Sequence, residues 1–294
     1  RHTRYGTVTG VQTCALPIFD VSAVIDLIQS PAGNILALTF DEDSGNLRLM
    51  DVTDPGAPSS QALGDLCPGA CPAVRVAGSL VVDAAGTRYV AYHNPVTRTL
   101  YYGSFGLGAP VFNQIDGTRF AGRDVRLFVS AGTPTIIDTE APVAGTVRVV
   151  HQTQPPRGVW TKTLLQDNIL VSDVDMARTM DAIQVGLTYY VSWTGRRIVN
   201  ASSYYFLDLA SFAAPGLLTP TVVFDTQTAL LPRVQFRAPK LLSRSNGQQM
   251  LFAAAIDSGR AGLFLFQEPQ ADGFYAGETL GQVTMPDDRG PHLD

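Results

Sequence analysis

Short apolar runs separated by polar turns recur along the whole chain, and their lengths suit strands better than helices. Between Arg75 and Asp116 the runs Leu80–Val82, Tyr89–Tyr92, Thr99–Tyr102 and Val111–Phe112 are set apart by turns at Asp83–Gly86 and Asn94-Pro95. Four short strands joined by Gly, Asn, Asp and Pro turns are the expected reading. The phrase returns around turn glycines at Gly33, Gly86, Gly132, Gly186 and Gly247, spaced 46–61 residues apart. Self-similarity at that period predicts a repeat architecture. The middle strands Ile35–Phe40, Tyr189–Trp193 and Met250–Ala255 are apolar on both faces instead of alternating, as in a sheet covered on both sides. Helix-like spacing of Val174, Ala177, Met180 and Asp181 offers a competing reading of 171–183. The gapless match of its second half to the Ala77–Gly86 phrase decides for a strand, leaving room for one helical turn before it.

Sheets covered on both faces and repeated every fifty residues or so predict an all-β chain, a β-propeller of about five four-stranded blades. The expected blades are 20–73, 74–117, 118–168, 169–230 and 231–283, in a single domain from residue 19 onward. Residues 289–294 read as the start of a further blade, His292-Leu293 matching Lys240-Leu241. The chain is therefore expected to be a fragment, cut at both ends, of a ring of six to eight blades.

Residues 1–18 carry R-H-T-R followed after three positions by V-T-G-V-Q-T-C-A-L-P-I. This resembles a translated short-read sequencing adaptor and is set aside as a non-native tail. From residue 20 on, the S-L-x-x-D-x-x-G-x-x-x-x-x-Y phrase (Ser79, Leu80, Asp83, Gly86, Tyr92) resembles that of bacterial secreted or surface-displayed β-propeller repeat proteins. That resemblance implies a fold and an extracytoplasmic habit, and no activity. The sialidase box S-x-D-x-G-x-T-W is not matched.

Composition narrows the partners. The 294 residues carry 21 Lys and Arg against 26 Asp and Glu, net −5, and setting aside Arg1 and Arg4 makes the balance −7. A mildly acidic chain without a basic run argues against nucleic acid, and no apolar stretch approaches the ~18 residues of a membrane span. Only two of the basic residues are lysines, Lys162 and Lys240, which reads as a GC-rich bacterial genome. With Cys14 in the foreign segment, Cys67 and Cys71 remain in L-C-P-G-A-C-P. A local disulfide is the favoured reading and would suit an exported protein, beside two free thiols or half of a metal site.

No nucleophile elbow, zinc motif or phosphate-cradling loop is present, so no catalytic residue, metal or cofactor is expected. Asp41-Glu42-Asp43-Ser44-Gly45-Asn46 fails the spacing of a calcium loop and reads as a solvated turn. Two function classes remain. One is a non-catalytic recognition or scaffold propeller taking a glycan, peptide or protein on its ring face. The other is a propeller hydrolase or lyase acting on carbohydrate, with Asp41, Asp138 and Asp257 as the first carboxylates to test. Counting from the turn glycines places Asp26, Ser79, Asp124 or Val125, Thr179, Lys240 and His292 at first-strand starts, with Arg178 adjacent. Asp41, His93, Asp138, Trp193 and Asp257 then fall at second-strand ends. Because these positions differ from blade to blade, they are expected to form an asymmetric polar binding surface with Trp193 as a stacking platform.

Overall fold

The computed structural model describes residues 23–41, 43–67, 76–155, 158–171, 179–225, 227, 235–243, 249–257, 260–267 and 277–284. The adaptor-like segment 1–18, Cys71, Arg178, Gly247 and His292 lie outside them. Among the described residues there is no helix.

The described residues form twenty strands in five antiparallel groups of four. They are β1 (Ala23–Gln29), β2 (Ile35–Asp41), β3 (Asn46–Asp51) and β4 (Ser59–Asp65); β5 (Gly78–Val82), β6 (Arg88–Asn94), β7 (Thr99–Phe105) and β8 (Asn113–Asp116); β9 (Val125–Ser130), β10 (Thr133–Glu140), β11 (Thr146–Thr153) and β12 (Thr161–Leu170); β13 (Met180–Val185), β14 (Thr188–Val199), β15 (Ser202–Phe212) and β16 (Thr221–Asp225); β17 (Gln235–Ser243), β18 (Gln249–Asp257), β19 (Arg260–Gln267) and β20 (Gly277–Thr284). Each group is a simple meander in which consecutive strands pair, and a single bridge, Leu170 to Arg196, joins the third sheet to the fourth. Of the segment weighed as a helix, residues 180–183 belong to β13, and 172–178 lie outside the described residues.

In the four groups whose first hairpin turn is described, that turn includes a residue with a left-handed backbone. Gly33, Gly86, Gly132 and Gly186 have φ of +89°, +82°, +76° and +61°. Glycine takes that conformation without a Cβ clash, which is why it recurs there.

The groups stack face to face. β1 lies beside β5, β5 beside β9, β9 beside β13 and β13 beside β17. Each neighbouring pair of sheets encloses its own apolar layer. Leu38, Leu47 and Leu49 meet Leu80 and Val90 between the first and second, and Ala91 and Leu100 meet Leu127 and Ile136 between the second and third. Val149 and Leu165 meet Met180 and Trp193 between the third and fourth. Leu207 meets Leu241 and Leu251 between the fourth and fifth. The second strands β2, β6 and β10 are accordingly buried along most of their length, β10 at every position after Thr133, whereas outer strands such as β4 face water along much of theirs.

Candidate functional site

Side-chain direction follows from the backbone bonds that tie each first strand to its second. His93 N–H donates to Ala77 O at 2.8 Å, Thr139 N–H to Asp124 O at 2.9 Å and Thr194 N–H to Thr179 O at 2.8 Å. His93, Thr139 and Thr194 therefore occupy one repeat position and turn toward the following sheet. Asp138 and Trp193 stand one residue earlier and, by the two-residue period of a strand, turn the other way. Their equivalent in the second group is Tyr92, packed in the apolar layer against the first.

The residues expected to form one polar surface are thus divided. Trp193 is 1% exposed inside the layer between the third and fourth sheets and presents no face for stacking. Asp138 is fully buried, with Oδ1 accepting from Gln152 Nε2 at 2.9 Å and Oδ2 from Gly122 N–H at 2.9 Å. Burial pushes its carboxyl well above the usual range, and the carboxylates of Asp116 and Glu140 push the same way. Asp41 closes its own turn. Its Oδ2 accepts from the Ser44 hydroxyl and its Oδ1 from the N–H groups of Asp43 and Ser44, both at 3.1 Å. The Ser44 hydroxyl foremost holds it below the ordinary carboxylate value, against a smaller opposing effect of burial. Asp257 ends β18 opposite Arg260.

Asp26 belongs to a third set, which fastens blade to blade. Asp26 Oδ2 accepts from Leu80 N–H at 2.9 Å, Ser79 Oγ from Leu127 N–H at 3.1 Å and Asp181 Oδ2 from Leu241 N–H at 2.7 Å. In the third sheet the same position is Arg126, which is a donor and cannot accept; it pairs instead with Asp181. Lys240 holds the position in β17, opposite Phe252. Variation from blade to blade here reflects alternative ways of joining first strands.

His93 is 1% exposed. Its Nδ1 lies 2.9 Å from Ala121 O, and because a carbonyl only accepts, Nδ1 carries the proton and Nε2 a lone pair. Nε2 is buried with no hydrogen-bond partner among the described residues. Burial lowers the imidazole pKa to about 4, with Arg123 and Arg98 adding to the effect, so the ring is neutral at physiological pH.

The loop around Ala121 passes from the second sheet to the third, beside a cluster of charged side chains. Lys162 Nζ donates to Asp116 Oδ2 at 2.7 Å, to Thr118 Oγ1 at 3.0 Å and to Glu140, while Gln152 Nε2 bridges Asp138 and Asp116. Burial works to raise the Asp116 pKa, but the bonds from Lys162 and Thr118 outweigh it and hold the group below its ordinary value. Above this network Phe120, only 6% exposed, has Arg98 Cζ 5.1 Å and Arg119 Cζ 4.9 Å from its ring centre, with the His93 ring at 6.4 Å. Arg98 and Arg119 are exposed, and neither has a carboxylate partner among the described residues. Loop backbone bonds fix both: Phe120 N–H donates to Arg98 O at 2.7 Å, and Ala141 N–H to Arg119 O at 3.0 Å.

No known protein family matches the chain, and no curated protein matches it in sequence. Solved structures do. A mutant of the Aleuria aurantia lectin in complex with alpha-methyl-L-fucoside is similar at a TM-score of 0.54 and 13% identity, over 90% of this chain and 79% of that one. AofleA from Arthrobotrys oligospora gives 0.50 and 11%, over 87% and 75%. The fold is a β-propeller. Bacteroides ovatus Xyloglucan PUL GH43B is a looser likeness, with a TM-score of 0.45 and 14% identity over 93% of this chain, which spans 58% of that one. At such identities the likeness concerns the propeller alone.

Within this propeller the sequence reading passed over Arg98, Arg119 and Phe120. A signal was present. The residue before each third strand is Gly45, Arg98, Gly145, Ala201 and Gly259 in turn, so Arg98 is the outsize member of a glycine-rich position.

Proposed function

We propose that this propeller is a non-catalytic recognition module that takes a glycan at the junction of its second and third blades, outside the cytoplasm. One observation carries the reading: Asp41, Asp116, Asp138 and Glu140 are already committed to the fold, while two exposed guanidiniums are not. Glycoside hydrolysis needs a pair of carboxyl groups several ångströms apart facing the bond to be cleaved. Asp138 has both oxygens occupied in a sealed site, Asp41 is enclosed by its own turn, and Asp116 and Glu140 are held by Lys162. Binding needs only an accessible, fixed set of polar groups, and the Arg98–Phe120–Arg119 group is one. The fold shared with a lectin seen holding alpha-methyl-L-fucoside supports a glycan over other ligand classes. A Cys67–Cys71 bridge in the loop after β4 would fit the extracytoplasmic setting, and labelling of a free thiol in exported, unreduced protein would count against it.

The test is an array of neutral and acidic glycans probed with the full chain, each hit then followed for product release. Binding without turnover is expected. Silence across the array would end the recognition reading, and steady release of a shortened glycan would replace it with the hydrolase reading.

A further inference from the structure

The residue before the third strand adopts a left-handed backbone in all four blades where it is described: φ is +72° at Gly45, +58° at Arg98, +79° at Gly145 and +64° at Ala201. Its carbonyl accepts from an apolar residue of the loop that follows the blade, at 2.8 Å for Gly45 and Leu66, 2.7 Å for Arg98 and Phe120, and 3.0 Å for Gly145 and Val171. Glycine and an aliphatic plug serve the first and third blades. In the first, glycine is required by packing as well, since a Cβ at residue 45 would come within 2.8 Å of the Cys67 carbonyl oxygen. The second blade replaces both members of the pair at once, glycine by arginine and aliphatic by phenylalanine. Phe120 itself adopts φ of +59°. Two non-glycine residues in the left-handed region, each carrying on the order of 1 kcal/mol of strain, are brought together at one point.

Ordinary packing does not account for this arrangement. Leu66 and Val171 fill the equivalent space without strain or charge. Arg98 and Arg119 each stand over the one ring, so their like charges lie no more than 10 Å apart on a chain whose net charge is −5. The ring quadrupole offsets part of that repulsion; an anion seated between them would offset the rest. The neighbouring acids do not supply it, because Asp116 and Glu140 are bound by Lys162 and Asp124 accepts from Thr179 N–H at 2.8 Å. By contrast Arg148 and Arg197 are each paired with a carboxylate, Asp167 at 2.7 Å and Asp225 at 2.6 Å.

We propose that Arg98 and Arg119, propped on Phe120, form a seat for the carboxylate of an acidic sugar, so that the glycan recognised is a uronate-bearing one. This rests on the recognition reading above and adds the ligand's charge to it. Phe120 is too buried to stack on a sugar ring, so discrimination falls on the anionic group, for which the planar guanidinium fork is geometrically suited. Both arginines have their backbones pinned before the ligand arrives, which limits the entropy lost on binding.

The probe is a galacturonate oligomer titrated calorimetrically into the full chain, beside its carboxyl-reduced counterpart and a sulfated galactan oligomer of the same length. The galacturonate oligomer is expected to bind, more weakly as salt rises, and the reduced oligomer not to bind. Arg98→Ala and Arg119→Ala should each weaken binding about tenfold or more, as loss of a charge-assisted hydrogen bond implies. Arg98→Lys should fall between wild type and Arg98→Ala, and thermal melting checks that every variant is folded. Equal binding of the uronate and reduced oligomers, or no effect of the double alanine variant, would overturn the seat. Binding of the sulfated oligomer alone would overturn its assignment to a carboxylate. A neutral glycan bound equally by wild type and double variant would leave the recognition reading standing while this one fails.

Discussion

Between the first and second blades the facing sheets close on Leu38, Leu47, Leu49, Leu80 and Val90, all at most 4% exposed. Between the second and third, apolar residues fill the inner part of the layer, but farther along it stand Asp116, Asp138, Glu140, Gln152 and Lys162. The backbone plan is the same in both, with the same strand pairing and the same carbonyl-to-loop bond. A repeat therefore prescribes where side chains meet and leaves open what they are, provided every buried polar group finds a partner. Among its described core residues the aliphatic layer holds no charged side chain. The polar one requires Lys162 to reach two carboxylates and Gln152 to bridge Asp116 and Asp138, and it carries exposed cations as well. A polar network of that kind is worth keeping where a junction must also present something to solvent.

The contrast can be probed first at Trp193, which faces the same way as Tyr92 and Asp138 one blade on. If that layer is a dry core, Trp193→Ala removes a large buried side chain and should lower unfolding free energy by about 3–5 kcal/mol, read from urea denaturation. Uronate binding by the folded variant should be unchanged. A variant as stable as wild type would mean that Trp193 is not packed as described, and would reopen its role as a platform.

Asp208 sharpens the comparison from the other side, as a buried acid without the partners that Asp116 and Asp138 have. It is 7% exposed, lies across from Trp193 in the sheet, and one of its oxygens, Oδ1, has no hydrogen-bond partner among the described residues. Burial raises its pKa to about 7, Arg197 working against the shift and Asp225 with it. Below about pH 4 the group is protonated folded or unfolded and has no effect on stability. As pH rises from there to about 7, the unfolded chain ionises while the folded one stays protonated, so this group subtracts stability, by up to about 4 kcal/mol above pH 7. Asp208→Asn should remove that loss. The stability difference between variant and wild type should grow across pH 4–7 and then level off; a difference independent of pH would show that Asp208 ionises alike in both states.

How far these features could be read from sequence differs by kind. Five groups of four strands were legible because turn glycines such as Gly33 and Gly86 are required by backbone geometry, and such a requirement leaves a mark in every repeat. The ring-wall positions were not. An error of one residue exchanges the two faces of a strand, and hairpin turns of different length, five residues between Val82 and Arg88 against two between Ser130 and Thr133, hide the register from the sequence. Strand ends alone align Asp138 and Trp193 with His93, whereas the backbone bonds group Thr139 and Thr194 with it. Differences between blades were also misjudged: at Asp26, Ser79 and Arg126 they are alternative fastenings. The informative departure was Arg98, visible only once the position before the third strand is known to require a left-handed backbone.

The smallest expected effect bears most directly on why the second and third blades meet as they do. Arg98→Gly restores the residue that the first and third blades carry at this position, and glycine adopts a φ of +58° without a Cβ clash. Two consequences oppose each other. Relief of backbone strain favours the variant by about 1 kcal/mol, while loss of the stacking of Arg98 on Phe120 disfavours it by about 0.5–1 kcal/mol for an exposed pair; glycine also adds freedom to the unfolded chain. If the arginine is there for the fold, its removal lowers the melting midpoint. If it is there for a ligand, the variant should melt at or slightly above the wild-type temperature and lose uronate affinity, the usual trade of stability against function at a strained site. Arg98→Ala at the same position keeps the Cβ and loses the charge, so it should bind as poorly as the glycine variant and melt below it. A glycine variant that melts lower and still binds the galacturonate oligomer would show that the arginine serves the junction and not the site.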